Sequence, residues 1–232
     1  MTFRSNLISK SVRKVLEKDT MSIIAIMNKI ANPRKISRRI MKDVAKDLGF
    51  EPNLGSVSRV VERYVKQVEK SGKLAGYDIK KIRSVFGKTR VILRSDIAVL
   101  EIRMSSGIEK KLVKIIEHVY SRKEKPFLGI TYGHSYITIL IDQDNMEKIK
   151  KIIGSGIVSS SKNQAALSII TPSEVLNVPG FASYAFSILG LNGINISEIL
   201  SSYNEGILVL DGKEADHAYK VLINEIKKIR SI

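Results

Sequence analysis

The spacing of apolar residues separates the chain into a helical first part and a mixed second part. Through residue 69 the apolar positions recur every three or four residues, as in helices that bury one face. This pattern predicts helices at 7–17, from Asp19 or Thr20 to just before Pro33, at 36–48 and at 56–69. Gly49 is expected to end the third helix, and Ser56 is expected to cap the fourth.

From residue 97 onward, short apolar strands alternate with helices. The predicted order is strand 97–102, helix 108–120, strands 127–132 and 136–141, helix 145–153 and strand 157–160. The order then begins again with strand 165–171, helix 179–191, strands 194–202 and 207–210, and helix 214–229. We interpret this recurrence as an internal duplication with a period of roughly 70 residues. The second copy lacks its last strand, so a partner subunit or the first copy must cover that edge, or it stays exposed.

The segment between the two parts is rich in glycine and lysine. Residues 70–77 are expected to form a linker or the base of a wing, and residues 88–93 alternate as a strand does. Residues 78–86 fit either a short helix or one strand of a hairpin. The predicted divisions are a helical module at 1–77, a basic linker or wing at 78–94, and the two copies at 95–162 and 163–232.

Positive charge is concentrated at the start of the chain. The 232 residues include 39 Lys and Arg against 23 Asp and Glu, a net charge of +16. Of these, 22 basic and 8 acidic residues precede position 91, so this segment carries +14 and the remainder only +2. A basic module joined to a near-neutral one is typical of proteins that meet a polyanion.

Residue types that commonly carry catalysis and metal binding are absent or scattered. Cysteine does not occur, which excludes disulfides, thiolate metal sites and cysteine nucleophiles. His118, His134 and His217 lie far apart in sequence, and none has a second ligand at metal-binding spacing. The sequence contains no glycine-rich nucleotide-binding motif and no nucleophile motif. We therefore expect no enzymatic activity, no cofactor and no metal.

One stretch, residues 175–197, carries no charge and is long enough to cross a bilayer. Pro179, Gly180, Gly190 and Gly193 interrupt it, so it predicts strands, turns and a helix within a globular domain. The first ten residues are not followed by the apolar core of a secretory signal. These features predict a cytoplasmic protein without a membrane partner.

The predicted helices 36–48 and 56–69 resemble the helix-turn-helix of winged-helix DNA-binding domains. The resemblance implies that the second of them is a recognition helix, with its first turns facing base edges of duplex DNA. Basic residues before and within the first helix would contact phosphates, and those of the linker would line a wing or strand beside the DNA. The residues expected to bind nucleic acid are Arg34, Lys35, Arg38, Arg39, Ser56, Ser58, Arg59, Arg63, Lys66, Lys80, Lys81, Arg83, Lys88 and Arg90.

The second copy carries a motif around its first helix. Pro179-Gly180 opens that helix, Leu189 lies near its end, and Gly193-Ile-Asn-Ile196 leads into the next strand. In this the copy resembles the ACT domain family, especially the regulatory ACT domains of aspartate kinases. The resemblance implies a sensor of a small molecule, usually an amino acid, often at an interface between paired domains. The expected fold is α+β: a helical, winged-helix-like module followed by two ferredoxin-like βαββαβ domains of ACT type.

The motif also has the chemistry of a binding site. Free N–H groups at a helix N-terminus favour a carboxylate, and glycine there permits close approach of a ligand. An asparagine offers both a donor and an acceptor to an amino acid. The residues expected to bind the effector are Val178, Pro179, Gly180, Phe181, Asn195 and Ile196. The first copy has Ser105-Ser-Gly107 and residues 122–126 at the corresponding places, so no ligand residues are expected in it.

A basic helical module joined to paired ACT-like domains resembles the predicted archaeal regulators of amino acid metabolism. The expected function is DNA-binding transcription regulation in response to a small effector, for which an amino acid is expected. The protein is expected to form a homodimer or higher oligomer through the ACT domains. Two alternatives stay open at this point. One is a regulatory subunit of an amino-acid biosynthetic enzyme, and the other is a nucleic-acid-binding protein without sequence preference.

Overall fold

The computed structural model describes residues 3–27, 30–74, 76–121 and 126–231. Within them the chain is a mixed α/β protein whose contacts separate two compact units. The first unit comprises Met1–Ser84 with Val178–Gly180, and the second comprises Val85–Asn177 with Phe181–Ile232. No described helix combines the length and apolar character needed to cross a membrane.

Helices form most of the first unit. Its elements are α1 (Phe3–Leu16), α2 (Thr20–Met27), α3 (Pro33–Leu48), α4 (Leu54–Ser71), the two-residue strands β1 (Lys73–Leu74) and β2 (Tyr77–Asp78), and α5 (Ile79–Gly87). The strands pair antiparallel in a minimal hairpin. Residues 78–86, which the sequence left open between helix and strand, are mainly helical in α5. The predicted continuation of the second helix through residues 28 and 29 lies outside the described residues.

Side-chain caps start α2, α3 and α4, and α3 and α4 begin earlier than predicted. α1 also begins earlier, at Phe3 rather than 7, and residues 30–32, which were predicted to be helical, are not. The carboxylate of Asp19 accepts from the N–H of Ser22 at 3.1 Å and caps α2, one of the two predicted possibilities. Asn32 caps α3, which therefore begins at Pro33, three residues earlier than predicted. Ser56 does not cap α4, because Asn53 accepts from the N–H of Gly55 at 2.8 Å and starts that helix.

The core of the first unit lies between α1, α3 and α4. Side chains from one face of each helix are buried, including Leu16, Ile40, Val44, Val57 and Val61. Tyr64 is also buried, and its hydroxyl donates to Glu17 at 3.2 Å. Burial, together with the nearby charge of Glu17, raises the pKa of Tyr64 to about 12. The predicted helical period thus identifies the buried face of each of these helices.

The second unit is built on one six-stranded antiparallel sheet. Its elements are β3 (Arg90–Arg103), α6 (Ile108–Tyr120), β4 (Leu128–Tyr132), β5 (Tyr136–Asp142), α7 (Met146–Ile153), β6 (Ile157–Ile170), α8 (Phe181–Leu191), β7 (Glu198–Ser202), β8 (Glu205–Asp211) and α9 (Ala215–Arg230). The strand order is β4-β5-β3-β6-β8-β7. The strands and helices follow the chain order that the sequence predicts, although several boundaries differ.

Three boundaries in the second unit correct the prediction. The predicted strands 157–160 and 165–171 are one continuous strand, β6. α8 begins at Phe181 rather than at the proline, because Gly180 has φ of 85° and cannot continue a right-handed helix. β7 begins at Glu198 rather than at 194, because the N–H of Ile194 still bonds the carbonyl of Leu189 at the end of α8.

The missing strand of the second copy is supplied by this chain, from residues that precede the first copy. β3 begins at Arg90, and residues 90–94 pair with 166–170 of β6. The later part of β3 pairs with β5 on one side and with residues 157–164 of β6 on the other. Neither a partner subunit nor the first copy, as predicted at 95–162, covers this edge.

The two faces of the sheet bury different clusters. On one face, Leu100 and Ile102 of β3 pack with Ile115 of α6 and Ile149 of α7. Val99, Leu140 and Val209 form a smaller cluster, against which Phe127 and Leu200 pack. Leu200 of edge strand β7 reaches Gly129 of edge strand β4, where a Cβ would stand 2.7 Å from its Cδ2 atom. The sheet therefore curls far enough for its two edges to approach each other.

Truncation of Leu100 tests the central position of β3. Leu100 is fully buried and pairs with Ile139 on one side and Ser160 on the other. We expect Leu100→Ala to lower the free energy of unfolding by about 2–5 kcal/mol, through lost burial and an unfilled cavity. Val113→Ala, which truncates a side chain that is 53% exposed on α6, should change it by less than about 0.5 kcal/mol. Urea unfolding followed by circular dichroism measures both, and equal losses would contradict the packing described.

Candidate functional site

The cations predicted to bind nucleic acid lie on the surface of α3 and α4. Arg59, Arg63 and Lys66 follow each other at steps of four and three residues, so they share one side of α4. That side is opposite the buried valines, and all three side chains are exposed. The basic residues of α3 are exposed as well: Arg34, Lys35, Arg38 and Arg39.

Two of these cations are held in ion pairs. The Nε atom of Arg39 lies 2.9 Å from the carboxylate of Asp19. Burial by itself would raise the pKa of Asp19, but hydrogen bonds from Arg39 and Ser22 outweigh it and lower that pKa. Lys66 lies 2.8 Å from Glu62 one turn earlier, and this contact lowers the pKa of Glu62.

The remaining cations of α3 and α4 keep their charge unneutralised. Among the described residues no ion pair involves Arg34, Lys35, Arg38, Arg59 or Arg63. The first turns of α1 to α4 also contain no acidic residue, whereas those of α6, α7 and α9 each contain one. α3 and α4 are capped by the uncharged Asn32 and Asn53, so their N-termini add positive potential to a surface that is already basic.

One predicted contact residue on α4 is not available to a ligand. The hydroxyl oxygen of Ser58 is buried and has no hydrogen-bond partner in the described part of the chain. Ser58 precedes the buried Val65 by seven residues, which places both side chains toward the same face of α4. Its side chain therefore lies toward the covered side of α4 and not among the outward positions where it was predicted. Ser56 is half-buried beside Arg59 and remains accessible.

The predicted basic wing is not a single strand. Lys80, Lys81 and Arg83 lie on α5, where the two lysines are exposed and Arg83 is half-buried. The aliphatic part of Lys80 covers Gly72, where a Cβ would stand 2.6 Å from its Cγ atom. Lys88 and Arg90 are exposed residues of the second unit, and Lys88 lies 3.4 Å from Glu174.

The approach to Gly180 is occupied by a side chain of this protein. A Cβ built on Gly180 would stand 2.1 Å from the Cδ1 atom of Tyr77, on β2. Glycine is required there both by its φ of 85° and by the aromatic ring against it. Val178 is buried and Pro179 is exposed, and both belong with Gly180 to the first unit.

The other predicted effector residues belong to the second unit. Phe181 is buried at the start of α8, and its ring centroid lies 5.8 Å from that of Phe86. Asn195 is exposed and Ile196 is half-buried in the segment that leads into β7. At the start of that strand, burial and the nearby charge of Glu101 raise the pKa of Glu198. The structure therefore distributes the predicted effector residues over two units.

Sequence reasoning did not anticipate the part played by α1. Arg13 donates to the side chain of Gln67 at 2.8 Å and lies over the ring of Tyr64, so α1 runs beside α4. Arg4 and Ser5, near the start of α1, face the same side as Arg59 and Arg63 and line a groove with them. The helical period of α1 gives its apolar face but not which helix its polar residues meet.

No protein-family model matches the chain, and a search of curated proteins finds no match. Solved structures similar to it include aspartate kinase from Clostridium acetobutylicum, with 17% identity over 59% of this chain and 34% of that one, at a TM-score of 0.49. The ligand-free regulatory subunit of aspartate kinase from Thermus thermophilus has 15% identity over 58% of this chain and 95% of that one, at a TM-score of 0.46. Aspartokinase III of E. coli, in complex with lysine and aspartate, has 13% identity over 60% of this chain and 33% of that one, at a TM-score of 0.46. This chain thus spans about a third of the two whole kinases.

A double-mutant cycle tests the packing of Tyr77 on Gly180. We expect Gly180→Ala to destabilise the first unit through positive-φ strain of about 1–2 kcal/mol plus a clash with the ring. In a Tyr77→Ala background the same substitution should cost only the strain, so the two effects should not add. Gly193→Ala is the matched control, because Gly193 has φ of 75° and nothing within 4 Å of a Cβ. Thermal unfolding measures each variant, and strict additivity would show that the ring does not occupy this position in solution.

Proposed function

We propose that this chain is a DNA-binding transcription regulator of amino acid metabolism that responds to a small effector. The observation that carries the proposal is the set of unneutralised cations on α3 and α4, in a unit that carries +12 of the chain's net charge of +16. Affinity for nucleic acid depends mainly on such contacts to phosphates.

In this proposal α4 is the recognition helix of a winged-helix-like module. α3 and α4 are joined by the turn at residues 49–53, and the hairpin of β1 and β2 follows α4 as a very short wing. Arg59 and Arg63 face the groove of the duplex, while Arg34 and Arg38 contact phosphates from the start of α3. Duplex DNA is therefore the partner of the first unit.

The second unit, in this proposal, consists of two ferredoxin-like domains of ACT type. One half of the sheet has the order β4-β5-β3-β6, and the other has β7-β8-β6 followed by residues 90–94 of β3. Both halves therefore place their strands in the same relative order, with two helices in each. Paired domains of this kind sense an amino acid and join two chains into a homodimer, which spaces two recognition helices over two half-sites.

Tyr77 connects the two activities. An effector that bonds the backbone at Gly180 must displace the ring that lies against it. Tyr77 belongs to β2, which follows α4 after only five intervening residues. Displacement of the ring therefore changes the hairpin at the end of α4, and the effector favours one arrangement of the DNA-binding helices over another.

Electrophoretic mobility shift at several salt concentrations tests the DNA-binding surface. We expect Arg38→Ala and Arg59→Ala each to weaken binding to a duplex, since neither side chain has an ion-pair partner among the described residues. Arg38→Ala removes a phosphate contact, so it should reduce the slope of log affinity against log salt by about 0.9. Arg59→Ala removes a contact in the groove, so it should weaken binding with a smaller change in slope. Arg39 is a poorer choice because its loss also breaks the pair with Asp19.

Lys228→Ala serves as the control, because it removes an exposed cation from α9 in the second unit. It should leave affinity and slope unchanged. Unchanged values for both arginine variants would reject the assigned surface. Equal affinity of the unaltered protein for random duplex, RNA and genomic fragments would instead favour binding without sequence preference.

Thermal shift against the twenty amino acids tests the effector. A ligand that binds only the folded protein raises the melting temperature, with stabilisation of about 2.7 kcal/mol at a concentration of 100 times Kd. We expect one amino acid, or a few related ones, to do so, and Asn195→Ala to abolish the shift. Asn192→Ala should retain it, since that amide already donates to the carbonyl of Ile188 within α8. If none of the twenty amino acids raises the melting temperature, the second unit would be assigned a role in assembly only.

A further inference from the structure

A recessed groove of about 690 Å³ lies in the first unit, between the start of α1 and the first half of α4. Its volume is within the range of roughly 300–1,000 Å³ that is usual for small-molecule sites. Apolar side chains of Ile8 and Val60 line it, and Val60 is only 6% exposed. Two helices therefore supply the walls of the groove, and its apolar part comes mainly from the half-buried Ile8.

Positive charge from both helices converges on this groove. Arg4 comes from α1, and Arg59, Arg63 and Lys66 come from α4. Glu62 is the one acidic residue among the described lining residues, and it is already paired with Lys66 at 2.8 Å. The lining thus has a net charge of +3 and three arginines without an ion-pair partner in the described chain.

One of these arginines is held in place by an aromatic ring. The guanidinium carbon of Arg4 lies 5.1 Å from the ring centroid of Phe50, which belongs to the turn between α3 and α4. A cation–π contact of this kind restricts the planar group and keeps its donors available at the edge. The hydroxyl-bearing residues Ser5 and Ser56 also line the groove, one from each helix.

This donor set matches phosphate better than a single carboxylate. Guanidinium groups bind phosphate oxygens in a bidentate way, and hydroxyl groups add further donors. Three positive charges without an ion-pair partner favour a ligand with several negative charges over one with a single amino-acid carboxylate. A chain of phosphates carries several negative charges in one small molecule.

We propose that this groove binds the polyphosphate group of a small molecule, with the apolar surface beside Ile8 and Val60 receiving the remainder of the ligand. The ligand class is a nucleotide-sized organic polyphosphate. A phosphate of a nucleic-acid backbone offers the same chemistry, but the volume of the groove fits the smaller ligand. Because Arg59 and Arg63 line this groove, occupancy competes with duplex DNA. This competition rests on the proposed function.

Isothermal titration with inorganic tripolyphosphate, at constant ionic strength, tests the site. We expect one equivalent to bind, and Arg4→Ala and Arg63→Ala each to raise Kd by at least tenfold, which corresponds to about 1.4 kcal/mol. Arg4→Lys keeps the charge but loses the planar guanidinium group, so its Kd should lie between those of the unaltered protein and Arg4→Ala. Lys227→Ala, an exposed cation of α9, is the control and should bind as the unaltered protein does. Circular dichroism confirms that each variant is folded.

The result that overturns the site is equal affinity for the unaltered protein and the Arg4→Ala and Arg63→Ala variants. A loss of the same size in Lys227→Ala would also overturn it, because binding would then follow net charge alone. Binding of many equivalents of tripolyphosphate per chain would overturn the site as well, because it would indicate non-specific association with the basic surface. Tighter binding of a nucleoside triphosphate than of tripolyphosphate would support the role of the apolar surface.

Duplex DNA in a parallel titration separates this site from the proposed function. Arg38 lies outside the groove lining, so Arg38→Ala should weaken DNA binding and leave tripolyphosphate binding unchanged. If the unaltered protein binds tripolyphosphate through Arg4 but binds no DNA, the groove stands and the proposed function fails. If it binds DNA but not tripolyphosphate, the groove fails and the proposed function stands. Release of DNA by tripolyphosphate from the unaltered protein, but not from Arg4→Ala, supports direct competition.

Discussion

The antiparallel pairing of β3 with β6 is the constraint on which the second unit depends. Each strand is 14 residues long, and each serves both halves of the sheet. Residues 90–94 complete the half that contains α8 and α9, while residues 97–102 lie at the centre of the other half. Backbone groups of a buried strand must be paired, so neither half has a complete set of partners without the shared ladder. The two halves therefore stabilise each other through backbone hydrogen bonds as well as side-chain packing.

The shared strands are bent where they pass from one half to the other. Asp96 and Asn163 both have φ of 56°, and the register shifts between Arg94 and Ile97. Such irregularities increase the local twist of a sheet, which here accompanies the approach of Leu200 to Gly129. Beside the bend, Asp142 pairs with Arg94 at 2.8 Å and accepts from the N–H of Phe127 at 2.8 Å.

The start of β3 is fixed by a residue near the end of the described chain. The guanidinium of Arg230, on α9, donates to the carbonyl of Gly87 at 2.6 Å and to that of Thr89 at 3.3 Å. Ile229 packs so close to Gly87 that a Cβ there would lie 2.9 Å away. Phe86 packs edge-on against Tyr184 of α8, with ring centroids 5.3 Å apart. These contacts hold the segment before β3 against the helices of the half that this strand completes.

Local patterns predicted what local interactions decide. The helical period gave the buried faces of α1, α3 and α4, and Gly49 ends α3 in a left-handed conformation as predicted. Ser56 was the predicted cap of α4, but Asn53, three residues earlier, is the cap. A single sequence does not distinguish between two such residues so close together. The pairing of residues 90–94 with 166–170 joins positions more than seventy residues apart, and hydrophobic alternation identifies a strand without naming its neighbour.

The candidate sites were less predictable for the same reason. Periodicity placed Arg59, Arg63 and Lys66 on the exposed side of α4 correctly, because exposure follows from the buried valines of that helix. It misplaced Ser58, which lies at the margin of the buried face where a small side chain is covered by its neighbours. Neither the ring of Tyr77 against Gly180 nor the position of Arg4 beside α4 leaves a signal in sequence spacing. Both depend on how separate helices and loops meet.

The helix termini of the first unit make the strongest physical case that its charge is functional. Arg34 and Lys35 lie in the first turn of α3, where the helix dipole disfavours a cation by about 0.3–1 kcal/mol per charge. Stability alone would favour acidic residues there, as in the first turns of α6, α7 and α9. Like charges on Arg34, Lys35 and Arg38 add mutual repulsion without a compensating ion pair in the described residues. A bound polyanion reverses the sign of both terms, because phosphates are attracted by the cations and by the positive end of the same helix dipole.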